Sequence, residues 1–218
     1  MADHVILKNL QFMLGGLALT FELAVIALAG GLLWGTILGM GRLSSIRWIY
    51  LATSIYVHFF RSQPLILVIF WFYFLVPILV GKPLGAFASA IIAFVLFEAA
   101  YFAEIVRGGV QSVPGGQVLA ARASGLSYFQ VQRHVVLPQA LRNMVPALAT
   151  QSVVLFQDTS LAYVIGLREF LRRVNLVDSR EVRSVELYLF AAAVYFIFCF
   201  GWSLANRRLE RNRGGNSC

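Results

Sequence analysis

The sequence predicts an all-α integral membrane protein with about five transmembrane helices. Of its 218 residues, 59% are hydrophobic and 13% are charged, against roughly 45–50% and about 25% in soluble domains. Long runs without charge divide the chain, and a helix needs about 20 apolar residues to cross a bilayer core. This composition excludes a disordered, collagen-like or disulfide-framework protein.

The charge-free runs place five spans in one membrane domain, residues 1–218. The spans cover about 12–40, 62–80, 85–107, 139–160 and 186–206, with a loop of about 108–138 between the third and fourth and a tail of 207–218. Segment 43–60 is apolar but broken by Arg47. We interpret it as interfacial or partly embedded, with a sixth crossing as the alternative. The N-terminal apolar stretch is longer than the roughly 7–15 residues of a signal-peptide core, so it does not indicate a cleavable signal.

Lysine and arginine place the N-terminus outside and the C-terminus in the cytoplasm. Eleven of the 18 basic residues fall in segments that would lie inside, and seven fall in outer segments. Cytoplasmic loops carry such an excess. Five arginines between 168 and 183 weaken the bias. The net charge of +8 does not indicate nucleic-acid binding, because the arginines are spread among apolar segments.

The chain lacks the sequence motifs of an enzyme. Gly81-Lys82 is followed by Pro83, so the sequence offers no phosphate-binding loop. It has no zinc-protease motif and no G-x-S-x-G, and His4, His58 and His134 are too widely spaced to predict a metal site. We therefore expect no catalytic residue, metal or cofactor on this chain. Energy must come from a partner protein or from an ion gradient.

The polar segment 107–142 has a helical pattern in two parts. Residues 117–124 favour a helix, Gly125 permits a left-handed turn, residues 128–136 favour a second helix, and Pro138 fits the first turn of a third. The pattern predicts a cytoplasmic helix–turn–helix. It would present small side chains to a partner, at Ala120, Ala121 and Ala123. An ordinary surface loop that packs on its own chain is the alternative.

Several motifs in this order resemble the permeases of ABC importers for polar amino acids. Leu119-Ala120-Ala121, Gly125 and Val135-Val136-Leu137-Pro138 resemble the EAA loop in composition and spacing. Phe60-Arg61-Ser62-Gln63-Pro64 resembles a second family segment, and Phe97-Glu98-Ala99-Ala100-Tyr101 is most similar to the glutamate/aspartate subgroup. The motif's Glu is Leu119 here, which excludes a charge contact to the ATPase through this position.

The resemblance implies a type I (MetI-like) importer fold in a bacterial inner membrane. It implies a second permease subunit, either identical or different, a cytoplasmic ATPase dimer that holds ATP and Mg, and a periplasmic substrate-binding protein. Such a permease moves polar amino acids, here glutamate or aspartate, by alternating access. The implied ATPase-coupling residues are Gln117, Leu119, Ala120, Ala121, Gly125, Leu137 and Pro138.

Polar residues near the spans are candidates for the substrate pathway: Arg61, Glu98, Asp158, Thr159 and Ser160. Glu98 must be protonated, hydrogen-bonded or paired with another helix or subunit, because a carboxylate at bilayer depth costs about 2.5–3.5 kcal/mol. Glu104 and Arg107 are three residues apart and can form a pair. Two interpretations are open for Asp158, Thr159 and Ser160: they cap a broken helix, or they line the pathway. Two are open for Arg61 as well: its charge extends to the membrane surface (snorkelling), or it gates the pathway.

Gly31, Gly35 and Gly39 recur at four-residue spacing, which permits close helix approach either between permease subunits or within the chain. Two other functions remain open from the residues alone. One is an ion-coupled amino acid carrier that uses Glu98 and Asp158. The other is a membrane scaffold without transport.

Overall fold

The computed structural model describes the backbone of residues 3–214 and the side chains of residues 5–206. Every regular element within residues 3–214 is helical. The helices are α1 Asp3–Leu14, α2 Leu17–Gly41, α3 Arg47–Arg61, α4 Leu65–Phe70, α5 Val76–Val80, α6 Ala86–Gln111, α7 Gly115–Ala123, α8 Tyr128–Val131, α9 Leu137–Asp158, α10 Phe170–Glu181 and α11 Ser184–Gly214. Wider π-helical turns join α4 to α5 and α8 to α9, and a 3₁₀ segment follows α9. Residues 215–218 of the predicted tail lie outside the described residues.

Three described helical stretches are long and apolar enough to cross a membrane: Val5–Gly41, Ala86–Gln111 and Ser184–Asn206. Helix α3 and the stretch Leu65–Val80 form a bent pair that meets the same standard only when the two are counted together. The all-helical membrane fold predicted from composition is therefore confirmed. The predicted second span of 62–80 is too short by itself, because proline at position 64 separates it from α3.

Helix α9 occupies the place of the predicted span 139–160 but is not among those apolar helices. It carries six strongly polar side chains along its 22 residues: Gln139, Arg142, Asn143, Gln151, Gln157 and Asp158. A polar helix crosses a bilayer only where protein or water covers its polar groups. The count of five spans therefore stays a prediction.

Contacts within the described chain group it into two compact units, each built from separate stretches of sequence. Unit 1 takes residues up to 30, 63–95 and 152 onward, and unit 2 takes 31–62 and 96–151. The core of unit 1 contains Met13, Phe170, Val174, Val177 and Leu187. The core of unit 2 contains Val106, Val113, Val131, Val136, Ala140 and Met144.

Close approach of α2 to α6 explains the glycine repeat within unit 2. A Cβ atom on Gly35 would lie 2.6 Å from the Cβ of Phe102 and 2.8 Å from the carbonyl oxygen of Ala99. A Cβ atom on Gly39 would lie 2.8 Å from the carbonyl oxygen of Ala103. Gly31 lies against Glu98 and Phe102 in the same way. The glycine face is thus filled by a helix of the same chain.

Replacing Gly35 with alanine should separate α2 from α6, because the neighbouring atoms include backbone that cannot move aside. Overpacking of this kind costs about 1–3 kcal/mol, and each kcal/mol lowers the unfolding midpoint of a chain of this size by about 2–4 °C. The measurement is the thermal midpoint of the purified transporter in detergent. Gly201→Ala is the matched control, because a Cβ there meets no atom within 4 Å. An equal midpoint for both variants would contradict the packing argument.

Candidate functional site: a shared carboxylate and a helix–turn–helix

One carboxylate in unit 2 is shared by three arginines. Glu104 on α6 pairs with Arg107 at 2.9 and 3.1 Å, with Arg61 at 3.3 Å, and with Arg42. Arg42 is almost fully buried, whereas the Arg61 side chain is 40% exposed. Three guanidinium groups and one carboxylate leave the cluster with an excess of positive charge.

The ends of three helices position this cluster. Arg42 follows the last turn of α2, Arg61 is the last residue of α3, and Glu104 and Arg107 lie one turn apart on α6. The Arg61 guanidinium also lies 5.3 Å from the centre of the Tyr101 ring, which is a cation–π distance. The predicted pair of Glu104 and Arg107 is confirmed. Snorkelling alone does not describe Arg61, because its guanidinium group is paired with Glu104. No sequence pattern indicated that Arg42 would belong to this cluster.

Glu98 forms a hydrogen bond between two helices of unit 2. Its side chain is fully buried, and the Gln151 Nε2 on α9 donates to its carboxyl oxygen at 2.9 Å. Of the three predicted ways to accommodate Glu98, the structure has the hydrogen bond to another helix. The nearby Gly31 gives the Glu98 stem room to lie against α2.

Asp158, Thr159 and Ser160 belong to unit 1, at the junction of α9 and the 3₁₀ segment. The capping interpretation is wrong for Asp158, because its side chain makes no capping hydrogen bond. The physical reason is that α9 continues directly into the 3₁₀ turns and leaves no free N–H group to cap. The Thr159 hydroxyl instead donates back to the Phe156 carbonyl at 2.6 Å. A pathway shared by these residues with Glu98 and Arg61 stays a prediction.

Helices α7 and α8 form the helix–turn–helix expected between 108 and 138. Gly125 has a φ of +82°, the left-handed conformation predicted for the turn. Ser127 and Gln130 cap α8 reciprocally, since the Ser127 N–H donates to Gln130 Oε1 at 2.8 Å and the Gln130 N–H donates to Ser127 Oγ at 3.4 Å. Pro138 lies in the first turn of α9, where its missing N–H costs nothing.

The predicted small-residue surface of this motif is correct only in part. Ala120 and Ala123 are exposed, but Ala121 packs against the core of unit 2 together with Val118. The cause is helical geometry, because positions 118 and 121 share one face of α7. Gln117, Leu119 and Leu137 are exposed.

Glu169 is a buried carboxyl group that sequence reasoning missed. It precedes α10, and its carboxyl oxygens accept hydrogen bonds from the N–H groups of Leu171 and Arg172 at 2.8 and 2.6 Å. Burial raises the pKa of Glu169 to about 7, while these backbone bonds act in the opposite direction. The signal in the sequence was a single acidic residue before a helix, which does not reveal burial.

No group of three or more histidine, cysteine, aspartate or glutamate side chains within the described part of the chain is placed to hold a metal ion.

Comparison with known proteins identifies the family. The family described as "Binding-protein-dependent transport system inner membrane component" matches residues 9–214. The chain belongs to this family. It is therefore a membrane-embedded transport subunit and not an enzyme, and transporters of this family work with an ATPase and a binding protein.

Three similar proteins extend this family assignment. The glutamate/aspartate import permease protein GltK of Escherichia coli O6:H1 is 43% identical over 94% of this chain and 95% of its own length. The probable glutamine ABC transporter permease protein GlnP of Bacillus subtilis is 37% identical over 93% and 94%. A chain in the crystal structure of an amino acid ABC transporter with histidines is 31% identical, with a TM-score of 0.90 over 95% of this chain and 96% of that chain. This structural match confirms the type I importer fold.

Within this permease, Glu104→Gln should destabilise the assembled subunit. The substitution removes the negative charge that three guanidinium groups share, and a hydrogen bond to a charged group is worth about 1.5–3 kcal/mol. The thermal midpoint of the purified transporter measures the loss. Glu186→Gln is the control, because Glu186 pairs at 3.0 Å with a single, half-exposed arginine, Arg183, and such surface pairs contribute only about 0–1 kcal/mol. A midpoint that falls no further for Glu104→Gln than for the control would contradict the central role of Glu104.

The stability of the permease should fall as the pH rises through about 7, because of Glu169. A carboxyl group whose pKa is higher in the folded state favours folding below its ordinary value of 4.5, and this contribution is lost as pH rises through its folded pKa. We expect the thermal midpoint of the wild-type protein to decrease between pH 5 and pH 8. Glu169→Gln, which cannot titrate, should show a flatter profile. The prediction fails if the two profiles are parallel.

Proposed function

We propose that this permease subunit of an amino acid ABC importer carries glutamate and aspartate. The observation that carries the proposal is the 43% identity to a glutamate/aspartate import permease across nearly the full length of both chains. The principal competitor is glutamine, since a relative named for that amino acid is 37% identical. The two substrates differ by one charged group, so they can be separated directly by experiment.

The charge distribution of unit 2 supports an acidic substrate. Three arginines surround Glu104, and the most exposed member of that cluster is Arg61, at 40%. Such an excess of positive charge attracts a carboxylate and repels the side chain of arginine or lysine. Glu98 would oppose an acidic substrate if its charge were open to the pathway. Its burial and its bond to Gln151 favour a structural role instead.

The subunit works as one part of a larger transporter. A second permease subunit completes the pathway, a periplasmic binding protein delivers the amino acid, and an ATPase dimer in the cytoplasm supplies ATP and Mg chemistry. The N-terminus lies outside and the C-terminus in the cytoplasm of a bacterial inner membrane. Closure of the ATPase dimer against α7 and α8 drives the alternation of access. The contact residues are those of the predicted coupling loop: Gln117, Leu119, Ala120, Ala121, Gly125, Leu137 and Pro138.

The test is ATP-dependent uptake by the complete transporter in proteoliposomes. Labelled glutamate, aspartate, glutamine, arginine and histidine are supplied one at a time with the binding protein present. We expect uptake of glutamate and aspartate, and at least tenfold less uptake of the other three. Uptake of glutamine at an equal rate would overturn the substrate proposal, and uptake driven by an ion gradient without ATP would overturn the transport mechanism.

A further inference from the structure

Helix α7 turns one side to the core of unit 2 and the other side outward. Val118 and Ala121 pack against that core, while the Leu119 side chain points away and is 68% exposed. On α8, Tyr128 and Phe129 are 67% and 69% exposed. These large apolar side chains lie outside the apolar spans. Apolar groups held together at a polar surface mark an interaction site.

The exposed side chains form one continuous surface. Leu119 and Arg122 are three residues apart and are neighbours on the face of α7. The Arg122 guanidinium lies 5.9 Å from the centre of the Tyr128 ring, and this contact joins α7 to α8. We name Leu119, Arg122 and Tyr128 the coupling face.

The stretch of chain that carries the coupling face contains no carboxylate to balance the charge of its arginines. The sequence contains no aspartate or glutamate from residue 105 to residue 157, although it contains Arg107, Arg122, Arg133 and Arg142 there. Arg122 and Arg133 are both exposed. A surface that combines apolar anchors with unbalanced arginines is complementary to an apolar pocket with an acidic rim.

Rigid placement of the coupling face favours a folded protein over a lipid surface as its partner. The left-handed Gly125 and the reciprocal cap of Ser127 and Gln130 fix the angle between α7 and α8. Val131 and Val136 anchor the second helix in the core of unit 2. A fluid lipid surface needs no such fixed spacing between an apolar anchor and a charge, whereas a protein pocket does.

We propose that the partner ATPase receives Leu119 in an apolar pocket whose rim carries an aspartate or glutamate side chain that pairs with Arg122. This proposal rests on the proposed docking of an ATPase on α7 and α8, and it adds the chemistry of the contact. A glutamate at position 119, which the EAA motif would have, is unfavourable against this pocket. It would place a carboxylate in an apolar site and near a carboxylate of the same sign.

The experiment measures how tightly the ATPase subunit of the same transporter binds the purified permease complex in detergent without anionic lipid. Leu119→Glu should weaken binding at least tenfold, and the conservative Leu119→Met should weaken it less than threefold. Arg122→Glu should weaken binding at least fivefold, and wild-type affinity should fall between 50 and 300 mM NaCl. Val185→Glu is the matched control, since Val185 is 74% exposed at the start of α11, outside the coupling face. It should bind the ATPase as the wild type does.

Each outcome either supports or overturns the proposal. Unchanged binding of Leu119→Glu excludes the apolar pocket, and stronger binding shows that the pocket contains a basic group. Unchanged binding of Arg122→Glu excludes the acidic rim. The same result is expected if Arg122 contacts a lipid surface instead of the ATPase, so that case also overturns the proposal. The proposal on the coupling face and the proposal on the substrate can fail independently. Glutamine uptake by a transporter with normal ATPase binding would contradict the proposed substrate and leave the coupling face supported. A wild-type complex that binds no ATPase overturns both proposals.

Discussion

A carboxylate that must serve three arginines is the constraint on which unit 2 depends. Glu104 joins the ends of α2 and α3 to the last two turns of α6, and each of those ends brings a guanidinium group rather than an apolar side chain. Charged groups near a bilayer are stable only when they are paired or hydrated. The cluster pairs the buried Arg42 with Glu104 through one guanidinium nitrogen and leaves part of Arg61, Arg107 and Glu104 in contact with solvent. It therefore fixes where these three helices meet.

The glycine face of α2 makes this meeting possible. Without side chains at positions 35 and 39, the backbone of α2 lies against Phe102, Ala99 and Ala103 of α6. In lipid, the association of helices depends on such close packing because the surrounding chains are as apolar as the helices themselves. Close packing and the Glu104 pairs act on the same two helices. The charges determine the register, and the glycines determine the distance.

The sequence could predict the features that depend on local pattern. Composition and charge-free runs predicted a helical membrane protein, and the i,i+3 spacing predicted the pair of Glu104 and Arg107. Gly125 predicted the left-handed turn between α7 and α8, and Pro138 predicted the first turn of the helix that is α9. Features that depend on contacts between distant segments of the chain could not be predicted from the sequence. Arg42 is 62 residues from Glu104, and the burial of Glu169 depends on neighbours such as Tyr195 on α11. The expected capping by Asp158 failed because no local signal showed that α9 would continue into a 3₁₀ segment.

The core of unit 2 packs the helix–turn–helix that carries the coupling face against α6 and α9. Val131 at the end of α8 and Val136 in the π-helical turn after it pack in one cluster with Val106 of α6 and with Ala140 and Met144 of α9. An interior packed this closely moves as a body, because it has no free volume in which a displacement can be absorbed. The hydrogen bond of Gln151 to Glu98 is a second contact between α6 and α9, at a position before Val106 on α6 and after Met144 on α9. On the proposed function, a displacement of the coupling face therefore moves α6 and α9 together. The buried Glu98 links α6 to α9 through its hydrogen bond to Gln151, and such a bond is electrostatically stronger in a low-dielectric interior than in water.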